Sequence, residues 1–370
     1  MGAQRPSAAE IAPPLLEILR RQLDAPTLDW DEAPELLGDG VSARVFALRT
    51  QGGPPETGSP WVCRIFCDGS NDVTDAQVAS EAALQGALAS AGFPVPRVVL
   101  WGGATSPLGA PFMVMERVQG PDGFRVALGI FVLAAAAAFA GFWALWATGL
   151  LLAWGAPALL LRRLHRVPAV DVARALEEAG VPPERLGLER ALDELAELVA
   201  AGSRPGAGRV VEWLRANRPD PAEGPAVCHG DFWYGNLMWS RRGPFLIDWT
   251  QAALGHRELD LGWMSIQHYS RFPLPVPDPL FDWLWAPVRP FVWLFMAPVR
   301  WLYLLAGGVQ RQRIHYFTAL CAVRVLAQGD RLAQTATKAA RPAELSAWGS
   351  PHTTALLRWR LRRITGIDVG

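Results

Sequence analysis

The chain lacks an excess of either charge: 35 lysine and arginine residues balance 35 aspartate and glutamate residues. This balance gives no electrostatic reason to expect a nucleic-acid partner. Cysteine is scarce, and the spacing of the four cysteines fits neither a disulfide framework nor a metal site, so we expect buried thiols in a reducing compartment. Residues 1–14 lack the apolar core of a signal peptide, and we expect no such peptide there.

The length and the order of sequence patterns predict two lobes. With 370 residues, the chain is long enough for about two domains with real cores. Before residue 120, an amphipathic helix is followed by five strand patterns with one helix among them. We therefore predict an α+β fold with a small five-stranded N-terminal lobe at 1–119 and a larger, mainly helical lobe at 120–370.

One short run carries the strongest chemical signal. His229-Gly230-Asp231 is followed by Asn236, and Asp248 comes after a predicted hairpin. In phosphoryl transfer, an aspartate orients or deprotonates the acceptor hydroxyl, while an amide and a second carboxylate hold Mg²⁺. We therefore predict Asp231 as the catalytic base and Asn236 and Asp248 as metal ligands. The alternative is a polar turn capped by these residue types, with an aspartate that follows an apolar strand by chance.

Two further residues near this run are expected to support the loop. His229 could act as an acid, but a structural role through hydrogen bonds is the preferred interpretation. Asp260 could be a third metal ligand, although support of the loop from behind the ligands is favoured.

Four residues of the first lobe are candidates for nucleotide contact. Gly38, Gly40 and Ser42 form a short glycine turn between strands, which could lay backbone N–H groups over phosphates or could be a plain hairpin. Arg64, on a later strand, would contact the phosphates and pair with Glu81 on the following helix. Taken alone, Arg64 would be an exposed strand residue.

In these motifs the chain resembles the aminoglycoside phosphotransferase and choline kinase-like family, which has the protein-kinase fold. The resemblance covers about residues 10–330. The segments that carry it, besides those above, are Gly92 to Val98, Gly109 to Glu116 and Asp260-Leu261-Gly262. It implies ATP or GTP as the phosphoryl donor, with Mg²⁺, a bilobal kinase-like fold, and backbone near Met115 to Arg117 holding the base. The Asp231, Asn236 and Asp248 roles follow from it as well.

The sequence departs from this family in two places. Many kinases have lysine where Arg64 stands, and the planar fork of arginine is not equivalent to a point charge. The larger departure is the uncharged apolar run at 126–161, where the family has an ordinary amphipathic helix leading to a Leu-His element, here Leu164-His165.

The apolar run is long enough to raise the question of a membrane. A buried helix of the kinase lobe is one interpretation, but the run has no polar face. A single crossing would separate the first lobe from Asp231, so we reject it. Three arrangements stay open: a tight helical hairpin, with Gly141 or Gly149 as the break, a re-entrant element, or one long helix along the membrane.

A second apolar stretch, 281–305, is rich in tryptophan and interrupted by proline. It suits an amphipathic piece at a membrane interface, or equally the aromatic packing of a substrate lobe. Arg162, Arg163 and Arg166, beside the first run, favour the cytoplasmic side.

We therefore predict a membrane-associated kinase on the cytoplasmic side that transfers the γ-phosphoryl group to the hydroxyl of a small, lipophilic acceptor. A catalytically silent nucleotide-binding or scaffold protein of the same fold is the main alternative. A membrane protein with incidental kinase-like motifs is the third.

Overall fold

The computed structural model describes residues 6–39, 43–53, 60–66, 74–202, 204–221, 224–267, 296–335 and 351–370. The chain divides into two compact units. Unit 1 comprises 1–120, 170–183 and 240–250, and unit 2 comprises the remaining residues. The lobe boundary predicted at residue 119 stays a prediction.

Unit 1 is built on one antiparallel sheet. Its strands are β1 Asp29–Asp39, β2 Ala43–Gln51, β3 Trp61–Phe66, β4 Val98–Gly102 and β5 Phe112–Glu116, in the order β1-β2-β3-β5-β4. Helices α1 Ala8–Gln22 and α2 Asp75–Ser90 each begin at a capping box, through Ser7 and Thr74, which satisfies the first free N–H groups of the helix. The five predicted strands and the helix among them are confirmed.

The core of unit 1 lies where α1 covers the sheet. Ile11, Leu15 and Leu19 recur at helical spacing and are at most 2% exposed. They belong to the same buried cluster as Phe46 of β2 and Trp61 of β3. This packing fixes β3, and with it the position of Arg64.

Unit 2 is mainly helical, and four short strands follow in the chain, of which β8 belongs to unit 1. Between Val170 and Leu214 the described residues form three α-helices. The second and third are separated just before Gly206, whose φ of +79° is in the left-handed region that glycine tolerates. The helices are α3 Gly123–Phe139, α4 Trp143–Leu164, α5 Ala169–Glu178 (largely in unit 1), α6 Leu188–Ala201, α7 Ala207–Ala216, α8 Glu258–Gln267, α9 at 296–305, α10 Arg311–Thr335 and α11 Pro351–Thr365. The strands are β6 Ala226–Cys228, β7 Leu237–Ser240, β8 Gly243–Leu246 and β9 Ala253–Gly255; β6 pairs with β9 and β7 with β8.

The apolar run forms a helical hairpin, α3 and α4. The chain turns at Gly141, where φ is +83°, as one of the two predicted breaks required. Gly149 is no break: it lies within α4, where a Cβ atom would be 3.3 Å from Ala134 Cβ of α3. Of the three arrangements left open, one long helix does not fit the structure, because the turn at Gly141 and the contact between the two helices interrupt the run.

Of the described helices, α4 is long and apolar enough to cross a membrane, and the apolar part of α3, Arg125–Phe139, is shorter. Of the second apolar stretch, residues 281–295 lie outside the described residues. Its end is α9, where Met296, Val299 and Tyr303 are buried while Trp301 is 62% exposed.

Candidate active site

In unit 2, the predicted catalytic loop follows β6 directly. Gly230 has a φ of +76°, and a Cβ atom there would lie 1.9 Å from the carbonyl oxygen of Gln251. Only glycine fits both constraints. The chain therefore turns sharply at Gly230 and presents Asp231 at the beginning of the loop, which ends in a single 3₁₀ turn at Tyr234–Asn236.

Asp231 and Asn236 are brought together by this loop. The side-chain amide of Asn236 donates to the main-chain oxygen of Asp231 at 2.8 Å and to its Oδ2 at 2.9 Å. Because the amide group donates through Nδ2, its oxygen remains the metal-ligand atom that the sequence predicts. The main-chain N–H of Asp231 donates to His229 Nδ1 at 3.2 Å, so the histidine ring closes the other side of the turn.

Asp260, at the beginning of α8, holds the loop from inside the protein. It is fully buried, and its carboxylate accepts from the backbone N–H groups of His229 at 3.0 Å and Gly230 at 2.7 Å. It also bonds His165 Nε2 at 2.8 Å, and His165 Nδ1 contacts the hydroxyl of Tyr303 at 2.7 Å. With its oxygens used in this way, the geometry gives Asp260 a supporting position.

His165, Cys228 and Asp260 place three potential metal-ligand atoms within 4.8 Å of one another. Their chemistry does not fit a metal ion. Both ring nitrogens of His165 are hydrogen-bonded, and the Cys228 thiol donates to the main-chain oxygen of His256 at 3.2 Å. Burial, followed by the charges of Asp260 and Glu258, raises the pKa of Cys228 well above its usual value, so the thiolate that a metal needs is disfavoured. We assign this cluster to structure.

In unit 1, Arg64 bridges two carboxylates. Its guanidinium lies 2.7 Å from Glu81 on α2 and 3.3 Å from Asp248 after β8. Burial tends to lower the pKa of Arg64, but the two carboxylates overcome it and the pKa is raised. The predicted Arg64–Glu81 pair is present, and Asp248 joins it through the second arm of the arginine fork.

The backbone at Asp248 is in an unusual conformation. Its φ of +64° is in the left-handed region, which costs a non-glycine residue free energy. The hydroxyl of Thr250 donates to Oδ1 of the same side chain, and the side chain of Asp248 is 41% exposed. A partly exposed carboxylate held in this way is suited to bind a cation.

The remaining predicted contacts lie in different places. Gly38 is at the end of β1, with open space where a Cβ atom would be, whereas Gly40 and Ser42 lie outside the described residues. Met115 is buried in β5. The N–H of Glu116 donates to the Arg97 oxygen and that of Arg117 donates to the Pro60 oxygen, so these two amides are engaged within unit 1.

Three contacts were missed from the sequence. Tyr234 is buried in the catalytic loop, and its hydroxyl donates to the Ala153 carbonyl oxygen of α4 at 2.8 Å. Gln85, one helical turn after Glu81, donates to it at 3.3 Å. Thr250 lies two residues after Asp248. The i, i+4 spacing of Glu81 and Gln85 on one helix is a sequence signal for their contact. No sequence signal predicts the contact of Tyr234 with Ala153, because these residues are 81 positions apart.

Comparisons with known proteins show the family to which the chain belongs. A model of the phosphotransferase enzyme family, APH, matches residues 34–291. A Thermus thermophilus protein named as a probable ketoamine kinase is 46% identical over 68 residues, which are 18% of this chain and 24% of that protein. The chain spans about a quarter of the length of the curated relatives it matches.

Solved structures show the fold. A Ralstonia eutropha structure classed as an aminoglycoside phosphotransferase has a TM-score of 0.56 at 17% identity, covering 96% of this chain and 98% of that one. An amicoumacin kinase, solved with AMP-PNP and Ca²⁺, has a TM-score of 0.52 at 13% identity, covering 95% and 92%. The predicted kinase-like fold is confirmed, and because the family match covers well over half of the chain, the protein belongs to the phosphotransferase enzyme family.

Proposed function

We propose that the protein is an ATP-dependent kinase that transfers the γ-phosphoryl group to a hydroxyl of a small molecule. The observation that carries the proposal is the Asp231 loop. Its turn admits only glycine, at Gly230; the buried Asp260 supports it; and the side-chain amide of Asn236 donates to Asp231, the predicted catalytic base. Family membership and the AMP-PNP in a structural neighbour support a nucleotide donor. GTP is the alternative donor.

In this proposal the side chains divide the work between positioning and electrostatics. Asp231 accepts the proton of the acceptor hydroxyl and orients its oxygen towards the γ-phosphorus. Asn236 and Asp248 offer one amide oxygen and one carboxylate, a set that suits Mg²⁺. Mg²⁺, when bound, would neutralise charge on the phosphates. Arg64, held by Glu81, contacts the nucleotide phosphates.

The finer part of the proposal concerns where the acceptor comes from. The exposed face of the α3–α4 hairpin is strongly apolar: Leu133 is 71% exposed, Phe139 98% and Trp143 64%. Large side chains point outwards while Ala127 and Ala134 are buried, the reverse of a helical hairpin that faces water. Small residues at the helix contact and large ones outside are typical of helices in lipid. We therefore propose that the occupant of this face is a lipid bilayer.

The geometry of the hairpin favours entry from one side. From Arg125 to Phe139 the helix rises about 21 Å, less than the roughly 30 Å of a hydrocarbon core. Arg125 and Arg163, near the two ends of the apolar run, suit the cytoplasmic headgroup region. The hairpin would therefore dip into the membrane and return, and a lipophilic hydroxyl compound would reach Asp231 from the membrane surface.

A transfer experiment tests this function. The full chain in detergent micelles is incubated with γ-labelled ATP and a cell extract divided into aqueous metabolites and membrane lipids. Asp248→Asn is the matched control, because it retains the shape of the side chain and loses the charge proposed for the metal. We expect a labelled product with the wild type alone, in the lipid fraction. A product in the aqueous fraction would retain the kinase and refute the lipophilic acceptor; equal labelling by both proteins would favour a catalytically silent protein.

A further inference from the structure

A cleft of about 450 Å³ lies within unit 2, away from the residues described above. Its walls come from α10, α11 and the end of α7. The volume is in the range of small-molecule sites. The residues that matter to the argument are Trp213, His315, Tyr316, Arg360, Arg363 and Ile364.

Two polar atoms of this lining are buried and have no hydrogen-bond partner among the described residues. They are the hydroxyl of Tyr316, a residue that is 3% exposed, and Nε of Arg360. A buried polar group without a partner costs about 1–3 kcal/mol, so proteins rarely retain one. Two such groups on one cleft indicate that a ligand supplies the partner.

The cleft is also positively charged. Within the part of the chain that the structure describes, neither Arg360 nor Arg363 forms an ion pair, whereas Arg358 on the same helix pairs with Asp368 at 3.2 Å. Burial lowers the pKa of His315, and the charges of Arg360, Arg300 and Arg311 lower it further. Among the described residues, Arg360 and Arg363 therefore have no counterion, and the field at this wall is positive.

The negative charge that acts on Tyr316 does not cancel this field. Glu189 acts on Tyr316, where burial and then this carboxylate raise the pKa of the phenol. Glu189 itself forms an ion pair with Arg218. Its charge is therefore matched by a cation that does not line the cleft.

One side of the cleft is apolar. The rings of Trp213 and Tyr316 are stacked, with centroids 6.3 Å apart and planes at 28°, and Ile364 is half-buried beside the arginines. A ligand that matches both sides carries an anionic group and a less polar body. Two guanidinium groups and a phenol hydroxyl offer more donors than the two oxygens of a carboxylate can use, which favours the three oxygens of a phosphate.

We propose that this cleft binds a small organic molecule that carries a phosphate group. Arg360, Arg363 and the hydroxyl of Tyr316 hold the phosphate, and Trp213 and Ile364 contact the remainder. The phosphate could belong to a soluble ester or to a lipid headgroup, and the proposal holds for the shared chemistry. It does not rest on phosphoryl transfer, because binding here needs no turnover.

Calorimetry on the full chain in nonionic detergent micelles tests the site. The nucleotide site is first filled with a non-hydrolysable ATP analogue, and glycerol 3-phosphate is then titrated, with glycerate as the carboxylate probe. Arg360→Gln, Arg363→Gln and Tyr316→Phe change the lining. Arg362→Gln, an exposed neighbour on α11, is the matched control. A second arm measures partition onto phosphatidic acid vesicles against phosphatidylcholine vesicles.

We expect either arginine substitution to weaken binding of the phosphate probe at least about tenfold, the loss of a charge-assisted hydrogen bond, and Arg362→Gln to change nothing. Tyr316→Phe should weaken binding without lowering thermal stability, because the hydroxyl makes no hydrogen bond to the part of the chain that the structure describes. An effect in the vesicle arm alone would identify a lipid source. Binding that is the same in wild type and all lining variants, in both arms, or tighter for glycerate, would overturn the proposal.

Discussion

At the scale of single residues, Arg64 shows why charge and shape have to be considered together. Glu81 is only 4% exposed, so its charge depends on a buried partner. Arg64→Gln removes that partner, and we expect a loss of roughly 3 kcal/mol in unfolding free energy, which is typical of a broken buried pair. Arg64→Lys retains the charge but not the fork that reaches both Glu81 and Asp248. We expect it to retain most of the stability and to lower kcat/KM for ATP at least about tenfold.

Denaturant unfolding and nucleotide kinetics on the two variants separate these effects. If Arg64→Gln unfolded at the wild-type denaturant concentration, the pair would not stabilise unit 1. If Arg64→Lys were fully active, the bridge to Asp248 would have no part in nucleotide binding.

Gly230 gives a second prediction at this scale. A methyl group there would meet the Gln251 oxygen at 1.9 Å in a left-handed conformation, so Gly230→Ala has to displace the catalytic loop. We expect phosphoryl transfer to fall more than about 100-fold, since positioning contributes that much to catalysis. Gly208→Ala is the control: it lies in α7 with open space around it, and alanine should stabilise the helix by about 0.5–1 kcal/mol. Comparable transfer rates for the two variants would contradict the account of the loop.

At the scale of elements, the catalytic loop is tied to the apolar hairpin. The Tyr234 hydroxyl bonds Ala153 of α4, and Asp260 connects the other end of the loop to His165, the residue that ends the same helix. A Cβ atom on Gly123, where α3 begins, would lie 2.8 Å from the main-chain carbonyl oxygen of Tyr234. The hairpin and the catalytic loop are therefore held together by direct contacts, and a displacement of α4 should also displace Asp231.

We predict that Tyr234→Phe, which removes this one bond, lowers kcat by about tenfold and leaves KM for ATP unchanged, because the hydroxyl positions the loop and lies on its α4 side. Thr318→Val is the matched control, since it removes a buried hydroxyl that donates to Ile314 of its own helix α10 at 2.7 Å. Steady-state kinetics with a common acceptor compare the two. A loss that appears in KM for ATP alone would contradict a positioning role.

The exposed tip of the hairpin gives a separate prediction. Phe139→Asp places a charge at a side chain that is 98% exposed and would lie deep in the bilayer, at a cost of about 3 kcal/mol. We expect vesicle binding in flotation experiments to fall more than about tenfold. Val170→Asp, at another exposed apolar side chain that is outside the hairpin, should have no effect. Equal binding by the two variants would mean that the hairpin does not meet lipid.

The strands and helices differ in how far they could be predicted from the sequence. Alternation and capping boxes are local, so the five strands and the helix α2 could be predicted from the residues alone. Whether a glycine breaks a helix depends on its neighbours in space. Gly141 has open space around it and turns the chain with a φ of +83°. Gly149 stays helical, and its lack of a side chain allows Ala134 of α3 to approach closely.

At the scale of the whole molecule, the same limit applies to the candidate site. The spacing of Asp231, Asn236 and Asp248 predicts phosphoryl transfer, because a short motif preserves its local geometry. Three contacts join residues that lie tens to more than a hundred positions apart in the sequence. They are the ion pair of Arg64 with Asp248, the hydrogen bond from Tyr234 to Ala153 of α4, and the hydrogen bonds that connect Asp260 through His165 to Tyr303. Only folding brings such pairs together, and no periodicity encodes them.

The central claim is that Asp231 makes this chain a kinase, and Asp231→Asn tests it most directly. The substitution retains the shape of the side chain and removes the proton acceptor. The measurement is transfer of γ-labelled phosphate to the acceptor found in the extract experiment, with affinity for the ATP analogue measured in parallel. The account predicts nucleotide affinity within about twofold of wild type and a transfer rate at least about 100-fold lower. Transfer at the wild-type rate by Asp231→Asn would contradict it.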